Sequence, residues 1–449
     1  MLILSKYIIY IDNFGIILYY LVGGIRTMLL QFSVENFMSF KDKATLSMTP
    51  GKGDELSDNI INTKECNALK SAVLFGANAS GKSNIIKAFT AAIMTIRESS
   101  ALQIDQPLLR IVPFKLDKLS ASKPTSFEFI FEAEKVKYIY GFSATQTRIV
   151  EEYLYAYYSI KPTTIFERTN DTYTFKADKK TLESLAEKNN SNKLFLATAT
   201  NWNYERTKAP YLWFATLIDT FDTSNGWMAD INAFLEDKND VQRNFTERLL
   251  EIADINIADF GVNEFDVPKE QIDAMMKDPV IRALFENAPE GAMSKSYTVS
   301  AFHNIREGGK EKSYSLDMAE ESRGTQNLFY MSSHLKRAFE TGKTLIVDEF
   351  DAGLHPLLLE EIIRMFHDPE INTGNAQLIF TTHAINLLDL DIFRRDQIFF
   401  TEKDAETAAS ELFSLDDFSV RKSENIRNGY IYGRYGAIPM IAKGKSPWR

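Results

Sequence analysis

The run Gly76-Ala77-Asn78-Ala79-Ser80-Gly81-Lys82-Ser83 constrains this chain of 449 residues more than any other stretch. Its spacing, G-x-x-x-x-G-K-[ST], has meaning only with a strand before it and a helix after it. Both can be read. Ser71 to Phe75 is a short apolar run, and from Ser83 to about Arg97 the residues Ile85, Ile86, Phe89, Ile93 and Ile96 fall at helical spacing. Glycines let successive amides turn inward around a phosphate, and a helix N-terminus favours negative charge. In such a loop Lys82 reaches the β- and γ-phosphates, the Ser83 hydroxyl holds Mg²⁺, and Asn84 adds a polar group at the rim. The competing reading is a glycine-rich turn that matches by accident.

A second motif lies far downstream. Thr344-Leu345-Ile346-Val347 is an apolar strand that ends in Asp348-Glu349. Adjacent carboxylates at a strand end are costly to bury without a cation. Asp348 is therefore expected in the Mg²⁺ shell, with Glu349 as the base that polarises an attacking water. The plainer reading is a strand running into an acidic turn. Gln377 to Phe380 is another apolar run, ending in Thr381-Thr382-His383. A histidine there can bond a γ-phosphate and sense its loss, or simply cap the next helix. Between the two motifs, Ser322-Arg323-Gly324 precedes a run with Leu328, Met331, Leu335 and Phe339 on one face. Ser322 and Gly324 would meet an anion at that helix start; an ordinary serine cap explains the sequence equally well.

The order P-loop, Ser-x-Gly, Asp-Glu, Thr-Thr-His resembles the ABC-type ATPase heads, with the SMC-type and recombination-type heads and the OLD-like AAA ATPases of bacterial defence operons nearest. Asp348 to Pro356 is similar to their Walker B strand and D-loop, and Phe32 to Lys41 to their first strand and turn, which lies near the nucleotide. The segments Arg394 to Ile398 and Gly433 to Pro439 resemble the RloA and AbiL-type branch found with restriction and abortive-infection systems. The resemblance implies an α/β P-loop fold with an antiparallel side sheet, ATP and Mg²⁺ as ligands, and Lys82, Glu349 and His383 as catalytic residues. It also implies a homo-oligomer in which Ser322 and Gly324 of one head complete the ATP site of another. A separately encoded effector and a role in anti-phage defence follow from the same likeness. Two positions depart from it: Ser322-Arg323-Gly324-Thr325 replaces Ser-Gly-Gly-Gln, and His355 stands where the D-loop usually has Asp. Gln146 is the one candidate for the Q-loop. Between ATP and GTP the sequence does not choose.

Composition narrows the alternatives. A single cysteine, Cys66, excludes an internal disulfide and fits a reducing cytoplasm. The net charge of −10 does not favour a protein that coats nucleic acid; small basic clusters such as Arg394-Arg395 permit DNA contact without implying it. Much of the acidity sits between Glu236 and Glu290, with 14 acidic and 6 basic residues. Residues 1–27 form an apolar leader whose uncharged part, Phe14 to Ile25, is 12 residues long, short of the roughly 20 that span a bilayer. Met28 is the expected start, with a membrane-contacting helix as the runner-up.

The expected organisation is an N-terminal half of the head over 28–176, a helical acidic insertion over 177–296, and a C-terminal half over 297–449. Strands are expected from Leu29 to Met48, and an antiparallel sheet over Thr125 to Glu132, Val136 to Phe142 and Ile149 to Ser159. Phe195 to Trp213 and Trp227 to Ala253 read as helices, their tryptophans as packing anchors. Three other functions stay in play, one of them a non-enzymatic scaffold that binds ATP, against which the intact Asp348-Glu349 pair argues. A chromosome-maintenance ATPase lacks its long coiled coil here. An OLD-type nuclease needs a metal-binding domain after the ATPase, and only 66 residues follow His383.

Overall fold

Two apolar segments that sequence reading marks as strands, Ser71–Gly76 and Thr344–Asp348, are buried along their whole length. Continuous apolar runs of this kind belong to strands covered on both faces. In the computed structural model, which describes residues 27–63, 66–223, 231–237, 239–277, 295–421 and 424–439, they are central strands of one sheet. The leader expectation, Trp227 and part of the acidic stretch lie outside these residues.

The strands in chain order are β1 (Thr27–Glu35), β2 (Ala44–Ser47), β3 (Ile60–Asn62), β4 (Asn67–Leu69), β5 (Ser71–Gly76), β6 (Thr125–Ala133), β7 (Val136–Ala144), β8 (Ile149–Tyr157), β9 (Thr163–Thr169) and β10 (Thr172–Thr174). They continue with β11 (Ile218–Asp222), β12 (Asp259–Asp266), β13 (Lys295–Glu307), β14 (Lys310–Asp317), β15 (Thr344–Asp348), β16 (Gln377–Thr381), β17 (Ile398–Lys403) and β18 (Ser410–Ser414). The chain divides into two compact units. Among the described residues, one takes those within 27–223, 338–352 and 359–439, and the other those within 231–337 and 353–358.

The first unit is α/β and holds two large sheets. Six strands run in the order β11-β15-β16-β5-β17-β18, parallel except for the β17–β18 pair. Seven antiparallel strands run β10-β9-β8-β7-β6-β1-β2. The helix Lys82–Glu98, which follows β5, packs on the antiparallel sheet: Phe89 stacks on Phe32 of β1 at 3.8 Å between centroids and meets Phe129 of β6 edge-on. Gln377, fully buried, joins the sheets by hydrogen bonds. Its amide nitrogen donates to the Leu29 and Leu69 carbonyls at 3.0 and 2.8 Å, and its oxygen accepts from the Leu29 amide at 2.6 Å. A buried amide satisfied on every side fixes register where apolar packing alone would permit slippage.

Residues 177–225 do not form part of a separate insertion. The helices Lys179–Ala186, Phe195–Asn201 and Glu205–Thr216 and strand β11 belong to the first unit. The reason is packing. Trp213 is fully buried and stacks on Phe131 of β6 at 4.2 Å, and Leu194 through Ala197 are buried too. Strand β11 pairs with β15 in parallel, Asp222 opposite Asp348. Trp202 is not an anchor: it is 56% exposed, with the Lys188 ammonium 3.7 Å above its ring.

The second unit is not purely helical. Besides the helices Ile231–Leu235, Val241–Ile252 and Lys269–Met275 it contains the antiparallel sheet β12-β13-β14. Among the described residues strands β13 and β14 pair only within this sheet, so the expected boundary at 297 gives way to one inside the helix Arg323–Thr341, at 337. Phe234, Phe260 and Phe329 form its aromatic core, Phe234 stacked on Phe329 at 5.2 Å.

Candidate functional site

Strands β15, β16 and β5 run parallel, and crevices beyond the carboxyl ends of such strands are where open α/β sheets bind ligands. The turn after β5 is the glycine loop. A side chain at Gly76 would place its Cβ 2.5 Å from the Ser80 hydroxyl and from the Thr401 carbonyl, so only glycine fits. Ser80 is bonded to Thr401 of β17 at 2.6 Å, which fastens the loop to its neighbouring strand. The helix Lys82–Glu98 begins with the Asn84 and Ile85 amides donating to the Gly81 carbonyl. Asn84 donates to the Ser39 hydroxyl at 2.7 Å, and Ser410 of β18 donates to the same oxygen at 2.8 Å. The turn after β1 therefore packs against the first turn of this helix.

Lys82 is nearly buried. Its ammonium donates to the Gly76 and Ala77 carbonyls at 2.8 and 3.2 Å. Burial pushes its pKa below the usual lysine value, while the charges of Asp348, Asp351 and Glu349 work in the opposite direction. A cavity of 570 Å³ opens over the loop, lined by residues 77–84, Glu349, Thr381, His383 and Lys403. Of the expected nucleotide residues, Ala77 through Asn84 all line it.

Asp348, 6% exposed, ends β15 one layer behind this lining. Its Oδ1 accepts from the Thr381 hydroxyl at 2.5 Å, and that hydroxyl accepts from the Glu349 amide at 2.7 Å. Glu349 has φ +51°, a left-handed conformation that costs a non-glycine residue about 1–3 kcal/mol. The Thr223 hydroxyl faces both the Asp348 and Glu349 carbonyls, at 2.9 and 2.7 Å. His383 lines the cavity, and its backbone amide donates to Asp351 at 3.2 Å. The other Asp351 oxygen is buried and has no hydrogen-bond partner among the described residues.

Ser322 and Gly324 belong to the second unit. The Ser322 hydroxyl accepts from the Thr325 amide at 3.2 Å, as an N-cap does. Gly324 packs against the D-loop backbone: a Cβ there would lie 2.4 Å from the Gly353 carbonyl. His355 accepts from the Leu357 amide at 3.3 Å. Gln146 is not in the cavity. It sits between β7 and β8 and donates to the Ile111 carbonyl at 3.2 Å, which fixes a surface loop. The Arg394-Arg395 pair is not a free basic patch. Arg394 is 3% exposed and bonds Asp396 at 2.8 Å, and Arg395 bonds Glu55 at 3.2 Å.

Sequence reading missed three residues at this site: Thr223, Thr381 as distinct from its neighbour His383, and Lys403. Each arrives on a strand adjacent to β15 or β5, and no local motif announces which strands those are.

Residues 71–389 match the family described as "AAA domain, putative AbiEii toxin, Type IV TA system". The chain belongs to this AAA-domain family. It is an AAA-type ATPase domain with the α/β P-loop fold, and nucleotide binding is the property of that fold. No curated protein matches it. Among solved structures it is similar to the Smc head bound to the C-winged helix domain of ScpA, at 13% identity and TM-score 0.39, covering 86% of this chain and 97% of the other. The SMC head domain from Thermotoga maritima gives 12%, 0.37, 86% and 98%. A Pyrococcus furiosus Smc head with an extended coiled coil, bound to the C-terminal domain of ScpA, gives 12%, 0.38, 86% and 96%. Among the described residues of this AAA-domain protein, no helix is long and apolar enough to cross a membrane.

Proposed function

We propose that the protein is a Mg²⁺-dependent ATPase of the cytoplasm whose two heads close around ATP and reopen on hydrolysis, and that this cycle controls a separately encoded effector in anti-phage defence. The observation that carries the reading is the convergence of Lys82, Ser83, Glu349 and His383 on one cavity at the end of β5 and its neighbours. The loop amides and Lys82 bind the phosphates. Glu349 lines the cavity where a water attacking the terminal phosphate would stand, and takes its proton. His383 bonds the same phosphate.

The donors suit Mg²⁺, which prefers oxygen and keeps several waters. The Ser83 hydroxyl and the Asp348 carboxylate would hold it, and the unpaired Asp351 oxygen is a further hard donor nearby. Among the described residues no group of three acidic, histidine or cysteine side chains forms a closed metal cage, in keeping with an ion shared with phosphates. When bound, the ion neutralises charge on the phosphates undergoing transfer.

Dimerisation through Ser322 and Gly324 of a partner head extends the reading. Two of the SMC heads named above are described with ScpA domains bound; binding of an effector segment by this chain is a separate part of the proposal. The test is the solution mass of Glu349→Gln with and without Mg-ATP. The expected result is nucleotide trapped without turnover and an ATP-dependent rise in mass, abolished with ATP binding by Lys82→Ala. Undiminished ATP binding by Lys82→Ala, or wild-type hydrolysis by Glu349→Gln, would overturn the site assignment.

A further inference from the structure

Glu349 has to present its carboxylate to the cavity from a backbone conformation that glutamate rarely adopts, with φ +51°. Something must hold it there. The sheet order β11-β15-β16 puts one neighbouring strand on each side of the turn after β15. From the β16 side, the Thr381 hydroxyl takes the Glu349 amide at 2.7 Å, and the Thr381 carbonyl takes the Phe350 amide at 3.1 Å. From the β11 side, the Thr223 hydroxyl stands 2.7 Å from the Glu349 carbonyl and 2.9 Å from the Asp348 carbonyl. A hydroxyl has a single proton, so Thr223 shares it between two acceptors. The Glu349 carbonyl also receives the Ala352 amide at 2.9 Å, which closes the turn. Both peptide groups around the general base are thereby fixed.

Thr223 differs from Thr381 in one respect. It is 2% exposed and does not line the cavity, so it cannot touch nucleotide. It follows β11 directly, and Asp222 opposite Asp348 sets its register against the turn. We infer that Thr223 is a positioning residue: its shared hydrogen bond holds the Asp348–Glu349 turn in the left-handed form that aims the Glu349 carboxylate at the attacking water. The inference rests on Glu349 being the general base. It assigns the segment before residue 226 a catalytic consequence beyond completing a sheet edge.

The experiment compares Thr223→Val, which keeps shape and loses the hydroxyl, with Thr223→Ser, which keeps the hydroxyl. ATP Kd, KM and kcat are measured on the full chain, alongside Glu349→Gln. Thr223→Val is expected to lower kcat about ten-fold, a fraction of the roughly 10²–10⁴-fold that a positioned base supplies. ATP Kd should stay within about two-fold, and Thr223→Ser should restore most of the rate, because only the hydroxyl is in question. In the Glu349→Gln background Thr223→Val should add no further loss. If valine does not fold, Thr223→Ala replaces it. A wild-type kcat in both hydroxyl-less variants overturns the inference. So does an equal loss in valine and serine, or a loss of nucleotide binding that matches the loss of rate. If Glu349→Gln itself hydrolyses ATP normally, the general-base reading fails instead, and the two failures are told apart.

Discussion

Lys82 spends its hydrogen bonds on its own loop, on the Gly76 and Ala77 carbonyls. Phosphate oxygens reaching this ammonium compete with those carbonyls, which keep the buried charge solvated until they arrive. The pocket's other cation behaves differently. Lys403 ends β17, two residues past Thr401, which pairs with Gly76, and it lines the cavity, its ammonium without a hydrogen bond or ion pair among the described residues. Strand β17 flanks β5 on the side away from β16 and β15, so Lys403 is expected at the end of a bound nucleotide remote from Glu349. Lys403→Ala should therefore weaken ADP and ATP by the same factor. About five-fold, or about 1 kcal/mol, is the scale for one solvent-facing charge. Titration calorimetry at two salt concentrations checks this; a loss confined to ATP would place Lys403 at the γ-phosphate instead.

At the scale of elements, the parallel core was legible in part. Strands β5, β15 and β16 are unbroken apolar runs, and β6, β7 and β8 are rich in β-branched and aromatic residues, so both sheets could be anticipated. Strand β11 could not. It has five residues, and a single leucine separates it from the helix Glu205–Thr216. Its identity as a strand depends on β15 being beside it, a tertiary fact. The same holds for the site. Gly76 to Ser83 and Asp348-Glu349 are local patterns. Thr223 and Lys403 matter only through the order of parallel strands, which no spacing encodes. The far ends of these strands hold a second buried polar cluster. His367, at the end of the helix Pro356–His367, bonds the Ser71 hydroxyl at 2.8 Å, and its carbonyl accepts from Lys70 at 3.0 Å. Burial, followed by the charges of Lys70 and Arg364, pushes its pKa down to about 3. The unfolded chain thus binds a proton that the folded one refuses. Stability is full above about pH 6.5 and falls by about 1.4 kcal/mol per pH unit toward pH 3. His367→Gln should flatten that part of the profile, as measured by denaturant unfolding between pH 7 and 4. An unchanged slope would show that other groups govern the acid limb.

Over the whole molecule, the two units divide the labour proposed for them. The first contains the loop, Asp348, Glu349 and His383; the second contains Ser322, Gly324 and the D-loop residues 353–358. Gly324→Ala forces a methyl group against the Gly353 carbonyl, 2.4 Å away, so one of the two segments must shift. ATP binding by a single head should be unaffected, while the ATP-dependent rise in mass in the Glu349→Gln background should be reduced. Light scattering decides it, and an undisturbed assembly would remove this contact from the interface. A different consequence follows from how the core sheet is threaded. The buried Gln377 bonds Leu69 across 308 positions of chain, and Gln397 bonds Ser71 across 326. During synthesis β5 emerges long before either of its partner strands, β16 and β17. The glycine-loop strand must therefore wait, unpaired, until those strands are made. The seven-stranded antiparallel sheet, complete by Thr174, is available much sooner. The order of chain segments thus separates the two sheets in time: the antiparallel one can form locally, and the parallel one must wait for β15, β16 and β17.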